Sequence, residues 1–544
     1  MKFKIFIFWA TLFLAIFLRL FLLGNVPSGV TNDEASYIYN AYTIWHTGKD
    51  ITGKFLPLSV NLDNSFSPVP IYIIAPFVGL LGMTATTGRL PFALAGIGVV
   101  LLIYFISRKL FKNEYIALSV MFVFAVSPWA LQIERTAYDG GLALFFYLLG
   151  IYLFIYFEKS KKILFSLIPF LLAFYSYHAT KIFFIFLIPI LIFYAKNYLF
   201  NKKRVLLLFI LGVITIILSY VVVSLENRDT RQKVFLWNDT SKAAAQVNWE
   251  RKVNSAPHLL QTIFSNKPLY FLRVMRENYL QAYSPQFLFL YGETGGLGGI
   301  YGIFYRGVMY FIELPLLLLG IFYIANYKEK KLKYFLFSLF LIAPLPTAFT
   351  LDQSYVMRSI TLLPILAIFT GTGIYIFVKK ITLLDKKVIK KIFLLLFGLT
   401  YVFFIGEYLY QYYFRYSIYG AENWFKSSKD VSEYVLQNKD KFKKVLIVNP
   451  GDLIIQYAFY ASMNQSVAQK AYTSHTPKQI GGNVFLIDGC IDTHNKIFDP
   501  NIYLNPQTLY IVPDGCFPNS TKPADTITQS GEPLRTIWKI YQRN

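Results

Sequence analysis

Two adjacent carboxylates, Asp33 and Glu34, stand in Thr31-Asn-Asp-Glu-Ala-Ser-Tyr, directly after the first long apolar stretch. Carboxylates beside hydrocarbon are costly, so a pair there invites a chemical reason. Further along come Arg89 in Thr-Gly-Arg-Leu-Pro, Glu134-Arg135 followed by Asp139, His178 and Lys181 in Tyr-His-Ala-Thr-Lys, and Asp352 to Arg358. A carboxylate takes the proton of an attacking hydroxyl. Arginine and lysine hold phosphate and stabilise the charge that develops on it as it departs. Outside acids (Asp33, Glu34, Glu134, Asp139, Asp352) and outside cations (Arg89, Arg135, Lys181, Arg358) around one membrane-level cavity would suit transfer chemistry on a lipid phosphate.

Plainer readings exist for each residue. Thr31 and Glu34 have the spacing of a capping box, and an acid such as Asp33 is welcome in any first helical turn. The cations can snorkel or pair with neighbouring acids. Three of them, Arg89, Lys181 and Arg358, start helices, where the macrodipole disfavours a cation; a bound phosphate would compensate. His178, next to Tyr177, reads as a base, a hydrogen-bond donor or a structural contact. No His/Cys cluster has zinc-ligand spacing, while a divalent cation (Mg or Mn) bridging Asp33 and other acids stays open. No nucleophile-elbow, phosphate-loop or zinc-protease motif is present.

The elements that must position these residues are membrane helices. The chain has 544 residues, 55% hydrophobic and only 15% charged, with apolar runs recurring to about residue 414. Residues 5–23 precede further spans with no small-residue cleavage site, so they read as a first span, not a signal peptide. The net charge of +23 comes from lysine clusters between spans, which indicates topology and not nucleic acid. Spans are expected at roughly 4–23, 88–110, 115–132, 140–157, 163–178, 182–196, 204–224, 306–326, 333–350, 359–378 and 391–413, about eleven in all. The proline- and glycine-broken stretch 69–83 is expected to be re-entrant or interfacial, because only then do the lysine clusters share the cytoplasmic side. That places the N-terminus inside, and the loops 24–87, 133–139, 178–181, 225–305 and 351–358 outside with the tail. The segment after Asp33 is expected to be an interfacial helix ending near Gly48.

The tail alternates helical pieces (about 421–438 and 451–463) with β-rich runs near 445–448, 483–487, 508–512 and 535–540. The expected organisation is a transmembrane domain over 1–414 and a small extracytoplasmic α/β domain over 415–544. Both cysteines, Cys490 and Cys516, fall in the tail, and an outside disulfide is the expectation.

These motifs, in this order, resemble the GT-C membrane glycosyltransferases, nearest the protein O-mannosyltransferase and aminoarabinose-transferase-like group. The matching pieces are Asp33-Glu34 after the first span, Gly88-Arg-Leu-Pro91, Glu134-Arg135 with Asp139, and Asp352 to Arg358 followed by Ser359-Ile-Thr-Leu-Leu-Pro364. The resemblance covers about residues 1–415 and implies a polytopic α-helical GT-C-like fold. It implies an inverting transfer of a monosaccharide from a polyprenyl-phosphate donor to an acceptor hydroxyl on a lipid, glycan or protein. It implies Asp33 as base, with Glu134, Arg135 and Asp139 lining the same cavity; Lys181 and Arg358 are the candidates for the phosphate. The alternative is a flippase, or a non-catalytic component of lipid-linked sugar assembly; internal symmetry, expected of a transporter, is not evident.

Overall fold

Hydrocarbon offers the backbone no hydrogen-bond partner, so the apolar stretches close their amides as helices. The computed structural model describes residues 2–61, 65–227, 235–293, 298–351, 354–449, 453–474, 477–488, 506–516 and 522–543. The helices that matter below begin with α1 (Lys2–Leu20), α2 (Asn32–Thr47), α3 (Pro68–Leu81), α4 (Ala85–Phe111), α5 (Glu114–Val126), α6 (Pro128–Glu134) and α7 (Asp139–Tyr156). Among the described residues, seven helices are long and apolar enough to cross a bilayer, or eight if α5 and α6, bent by 57°, form one broken span. The chain is a multi-pass membrane protein.

The count departs from the eleven expected spans. The runs near 163–178, 182–196 and 306–326 fold as Leu167–Phe174, Thr180–Tyr194 and Glu313–Ala325, of 8, 15 and 13 residues. A perpendicular crossing needs about 20. Hydropathy sees apolar content and does not see that the helix stops at Phe174, or that the residues around Gly307 stay outside the helix that starts at Glu313. The stretch 69–83 is helical as α3, one of three shorter apolar helices.

The chain forms two compact units. One comprises Met1–Phe21, Asp63–Ser67 and Phe92–Tyr408; the other comprises Leu22–Leu62, Pro68–Pro91 and Leu409–Asn544. The tail therefore folds with α2, α3 and the start of α4, which the sequence reading assigned to the transmembrane domain.

In the first unit the helices Glu313–Ala325 and Leu363–Thr382 cross at contact distance. A Cβ on Gly320 would lie 1.8 Å from the Phe369 carbonyl oxygen, and one on Gly373 would lie 1.9 Å from that of Leu316. Small residues permit such backbone approach where lipid supplies no hydrophobic drive between helices.

In the second unit six strands form one mixed sheet: β1 (Lys444–Asn449), β2 (Lys478–Gly481), β3 (Val484–Asp488), β4 (Thr508–Pro513), β5 (Asp525–Gln529) and β6 (Glu532–Arg543), in the order β2-β3-β1-β4-β6-β5. β1 pairs in parallel with β3 and β4, and the remaining pairs are antiparallel. Val445 to Val448 are buried on both faces, as a central parallel strand requires. Cys516 packs beside Leu446, Val448, Tyr510, Val512 and Tyr541 and is disulfide-bonded. Cys490 lies outside the described residues.

Candidate active site

The acid pair opens α2, in the second unit. Thr31 caps the helix: its hydroxyl accepts the Glu34 amide at 3.3 Å, and the Glu34 carboxylate accepts the Thr31 amide at 3.4 Å. The capping-box explanation of Glu34 is therefore satisfied. Glu34 is also fully buried and takes two N–H donors from Arg89 on α4, at 2.9 Å from Nε and 2.8 Å from Nη2. The other guanidinium bonds run to the carbonyls of Leu23 (3.3 Å), Pro27 (3.1 Å) and Gly29 (2.6 Å). The Trp424 ring lies 5.5 Å from the guanidinium carbon, within cation–π range. These bonds use every N–H that an arginine has. Expected as a phosphate ligand, Arg89 instead fastens the segment 23–34 to α4. Asp33, beside Glu34 on the same turn, is half-buried.

The tail contributes to this turn. On the helix Leu453–Tyr460, buried Gln456 donates to the Val30 carbonyl (2.9 Å) and to Asn32 Oδ1 (2.8 Å). These are the residues that flank the N-cap and precede Asp33. Further down α2, the Tyr39 hydroxyl donates to the Met463 carbonyl at 2.8 Å. Tyr460, one turn beyond Gln456, has a buried hydroxyl with no hydrogen-bond partner among the described residues. Burial holds its phenol above the usual range, with Arg89 opposing and Glu34 adding, so the hydroxyl stays a proton donor. Sequence reasoning missed Gln456 and Tyr460: an amide and a phenol in a tail helix carry no motif.

The remaining expected residues belong to the first unit. Glu134, buried at the end of α6, accepts Arg19 Nε at 2.7 Å, with Arg19 Nη2 at 2.6 Å. Arg19 also donates to the Ala125 carbonyl at 3.0 Å, where the backbone breaks between α5 and α6. Arg135 donates to the carbonyls of Leu18 (2.6 Å) and Phe21 (2.8 Å). It thus satisfies acceptors at the negative end of α1. So Glu134 and Arg135 lock the bend to α1. Arg19, unmarked in the sequence reading, had one available signal: an arginine inside an apolar span needs a partner.

Asp139 is buried in the first turn of α7, where the helix dipole favours an acid. The His178 ring stacks on Phe235 at 6.3 Å, and Phe235 stacks on Trp237 at 4.7 Å. Lys181 Nζ sits 3.3 Å from the centre of the Tyr220 ring. Arg358 is buried in the short helix Tyr355–Arg358. The start of that helix is held by Glu293, whose carboxylate accepts the amides of Tyr355 (2.9 Å) and Val356 (2.8 Å). Glu293 lies in the glycine-rich stretch Gly292-Glu-Thr-Gly-Gly-Leu-Gly-Gly299; residues 294–297 of it, like Asp352, lie outside the described residues. Among the described residues no three Asp, Glu, His or Cys side chains come together as metal ligands.

Residues 65–223 match the family model described as dolichyl-phosphate-mannose-protein mannosyltransferase. Curated protein sequences give no significant match. The fold is similar to that of ArnT from Cupriavidus metallidurans bound to undecaprenyl phosphate: TM-score 0.51, 11% identity, covering 99% of this chain and 98% of that one. It is also similar to the Archaeoglobus fulgidus oligosaccharyltransferase tethered with an acceptor peptide: TM-score 0.51, 11% identity, 84% of this chain. The chain spans 63% of that enzyme's length. The family-model match over residues 65–223 and the two likenesses in fold agree with the resemblance read from the acid and arginine motifs.

Proposed function

We propose that this chain is an integral-membrane inverting glycosyltransferase, moving a monosaccharide from a polyprenyl-phosphate donor to an acceptor hydroxyl at the outer face. The observation that carries the reading is the division of labour in the acid pair. Glu34 is buried under Arg89 and the helix cap, while Asp33 stands half-buried beside it. Asp33 is the base. It takes the proton of the acceptor hydroxyl as that oxygen attacks the anomeric carbon. The bond from that carbon to the phosphate oxygen breaks, its electron pair leaves with the polyprenyl phosphate, and a single displacement inverts the centre. Cationic stabilisation of the leaving phosphate is the role for Arg358, with Lys181 second.

ArnT with undecaprenyl phosphate and an oligosaccharyltransferase with an acceptor peptide, both similar in fold, support a polyprenyl-phosphate donor and a lipid, glycan or peptide acceptor. The lysine-rich connectors support a cytoplasmic N-terminus and an external tail. On that side an oxidising compartment suits Cys490 as the partner of Cys516.

The test is transfer of radiolabel from a polyprenyl-phosphate sugar by the purified protein. Label reaching an acceptor with inverted configuration is the expected result. Label that never leaves the donor across lipid, glycan and peptide acceptors would overturn the reading.

A further inference from the structure

At the far end of α7 from Asp139, about 25 Å along that helix, the first unit carries a cavity of about 550 Å³. It forms where the ends of α4 and α7 meet Tyr194 and the start of the helix Lys330–Ile342. Arg108 and Lys109 enter it from the end of α4, Lys112 from just beyond that end, Lys159 from the turn after α7, and Lys331 from the third side. Only Glu158 and Glu329 oppose them there, and Glu158 already pairs with Lys331. The positive-inside rule accounts for the sign of these charges. It does not require cations from three separate connectors to converge on one concavity.

Nor does it require them to be seated on rings. Lys109 Nζ lies 5.5 Å from the centre of Tyr156, and Lys331 Nζ lies 3.8 Å from that of Tyr194. Ring contacts of this kind fix a flexible cation and leave its other donors for an anion. Phe105 and Tyr156, which also line the cavity, are exposed (37% and 54%) and give it an apolar rim at the level where spanning helices end.

We infer that this cavity binds the phosphodiester of an anionic glycerophospholipid, with the acyl chains against the Phe105 and Tyr156 rim. A basic pocket between membrane helices on the cytoplasmic side suits such a headgroup. Charge complementarity favours an anion, and the apolar rim favours a lipid over free phosphate. The site is independent of the sugar-transfer reading and shares none of its residues.

The experiment is native mass spectrometry of the full chain released from micelles, with phosphatidylglycerol, phosphatidylcholine or inorganic phosphate as probes. One retained phosphatidylglycerol is expected, with no comparable retention of phosphatidylcholine and no displacement by inorganic phosphate. The double variant Arg108→Gln/Lys109→Gln should bind roughly thirtyfold more weakly, from about 1 kcal/mol per charge. Because removing positive charge can disturb insertion, Tyr156→Ala is the second variant; it keeps every charge and should also weaken retention. Equal retention of phosphatidylcholine, displacement by inorganic phosphate, or unaltered retention in both variants would each overturn the proposal.

Discussion

Arg89 and Glu34, 55 positions apart in sequence, meet as a two-point ion pair with both side chains fully buried. Such a pair is costly to break, because the surviving charge is left in a low-dielectric interior. Arg89→Ala should destabilise the protein by about 3–5 kcal/mol, read as a lower thermal midpoint in detergent. Arg89→Lys should recover little, since an ammonium cannot reproduce the fork to Glu34 while reaching three carbonyls. An unchanged midpoint in Arg89→Ala would show that the segment 23–34 is held by something else.

Asp33 and Glu34 should separate in mutagenesis. Asp33→Asn is expected to lower transfer by about 10²–10⁴-fold, the usual worth of a positioned base, with the thermal midpoint unchanged. Glu34→Gln should lower both, because it weakens the Arg89 pair. Radiolabel transfer beside thermal unfolding checks this, and an active Asp33→Asn protein would remove Asp33 from the mechanism.

The tail helix offers a second separation. Gln456→Ala leaves the Val30 carbonyl and Asn32 without their donor and should cost about 1–3 kcal/mol, with reduced transfer. Tyr460→Phe removes a hydroxyl that has no partner among the described residues, so stability should hold. If that hydroxyl meets the substrate in the transition state, kcat falls. Unaltered kinetics in Tyr460→Phe would return the residue to packing.

Gly96 faces the Glu134–Arg19 pair at close range. A Cβ there would sit 2.6 Å from the Glu134 carboxyl carbon. Gly96→Ala should therefore displace a buried ion pair and cost about 1–3 kcal/mol as overpacking. A wild-type unfolding midpoint would show that Glu134 moves aside freely.

The helical segment between residues 235 and 293 carries a pH signature. Arg273 donates to both Glu250 oxygens, at 2.7 and 2.9 Å, and this bond holds the Glu250 carboxyl below its ordinary value of 4.5. A depressed folded value means the stabilisation is present above the unfolded pKa and is lost as pH falls through the folded one. Packing of Thr240–Lys252 on Lys267–Gln281 should loosen only below about pH 4.5. The pair is partly exposed, so the effect is small. Hydrogen exchange over these helices should show the loss in wild type and not in Glu250→Gln.

The sequence by itself determined what local patterning can encode. Hydropathy marked the helices, β-rich composition marked the runs that became β1, β3, β4 and β6, and Thr31 to Glu34 marked a capped helix start. These signals act over a few residues, so one chain suffices to read them. Only the tertiary structure decided which cation each acid keeps. Glu34 takes Arg89 and Glu134 takes Arg19, while Arg135 turns to the carbonyls closing α1. It also decided that the segment bearing Asp33 folds with the tail, through Gln456 and the Tyr39 bond to Met463. The physical reason is that a buried charge takes whichever partner reaches it with good geometry, and reach depends on how distant segments pack, which no spacing along the chain records.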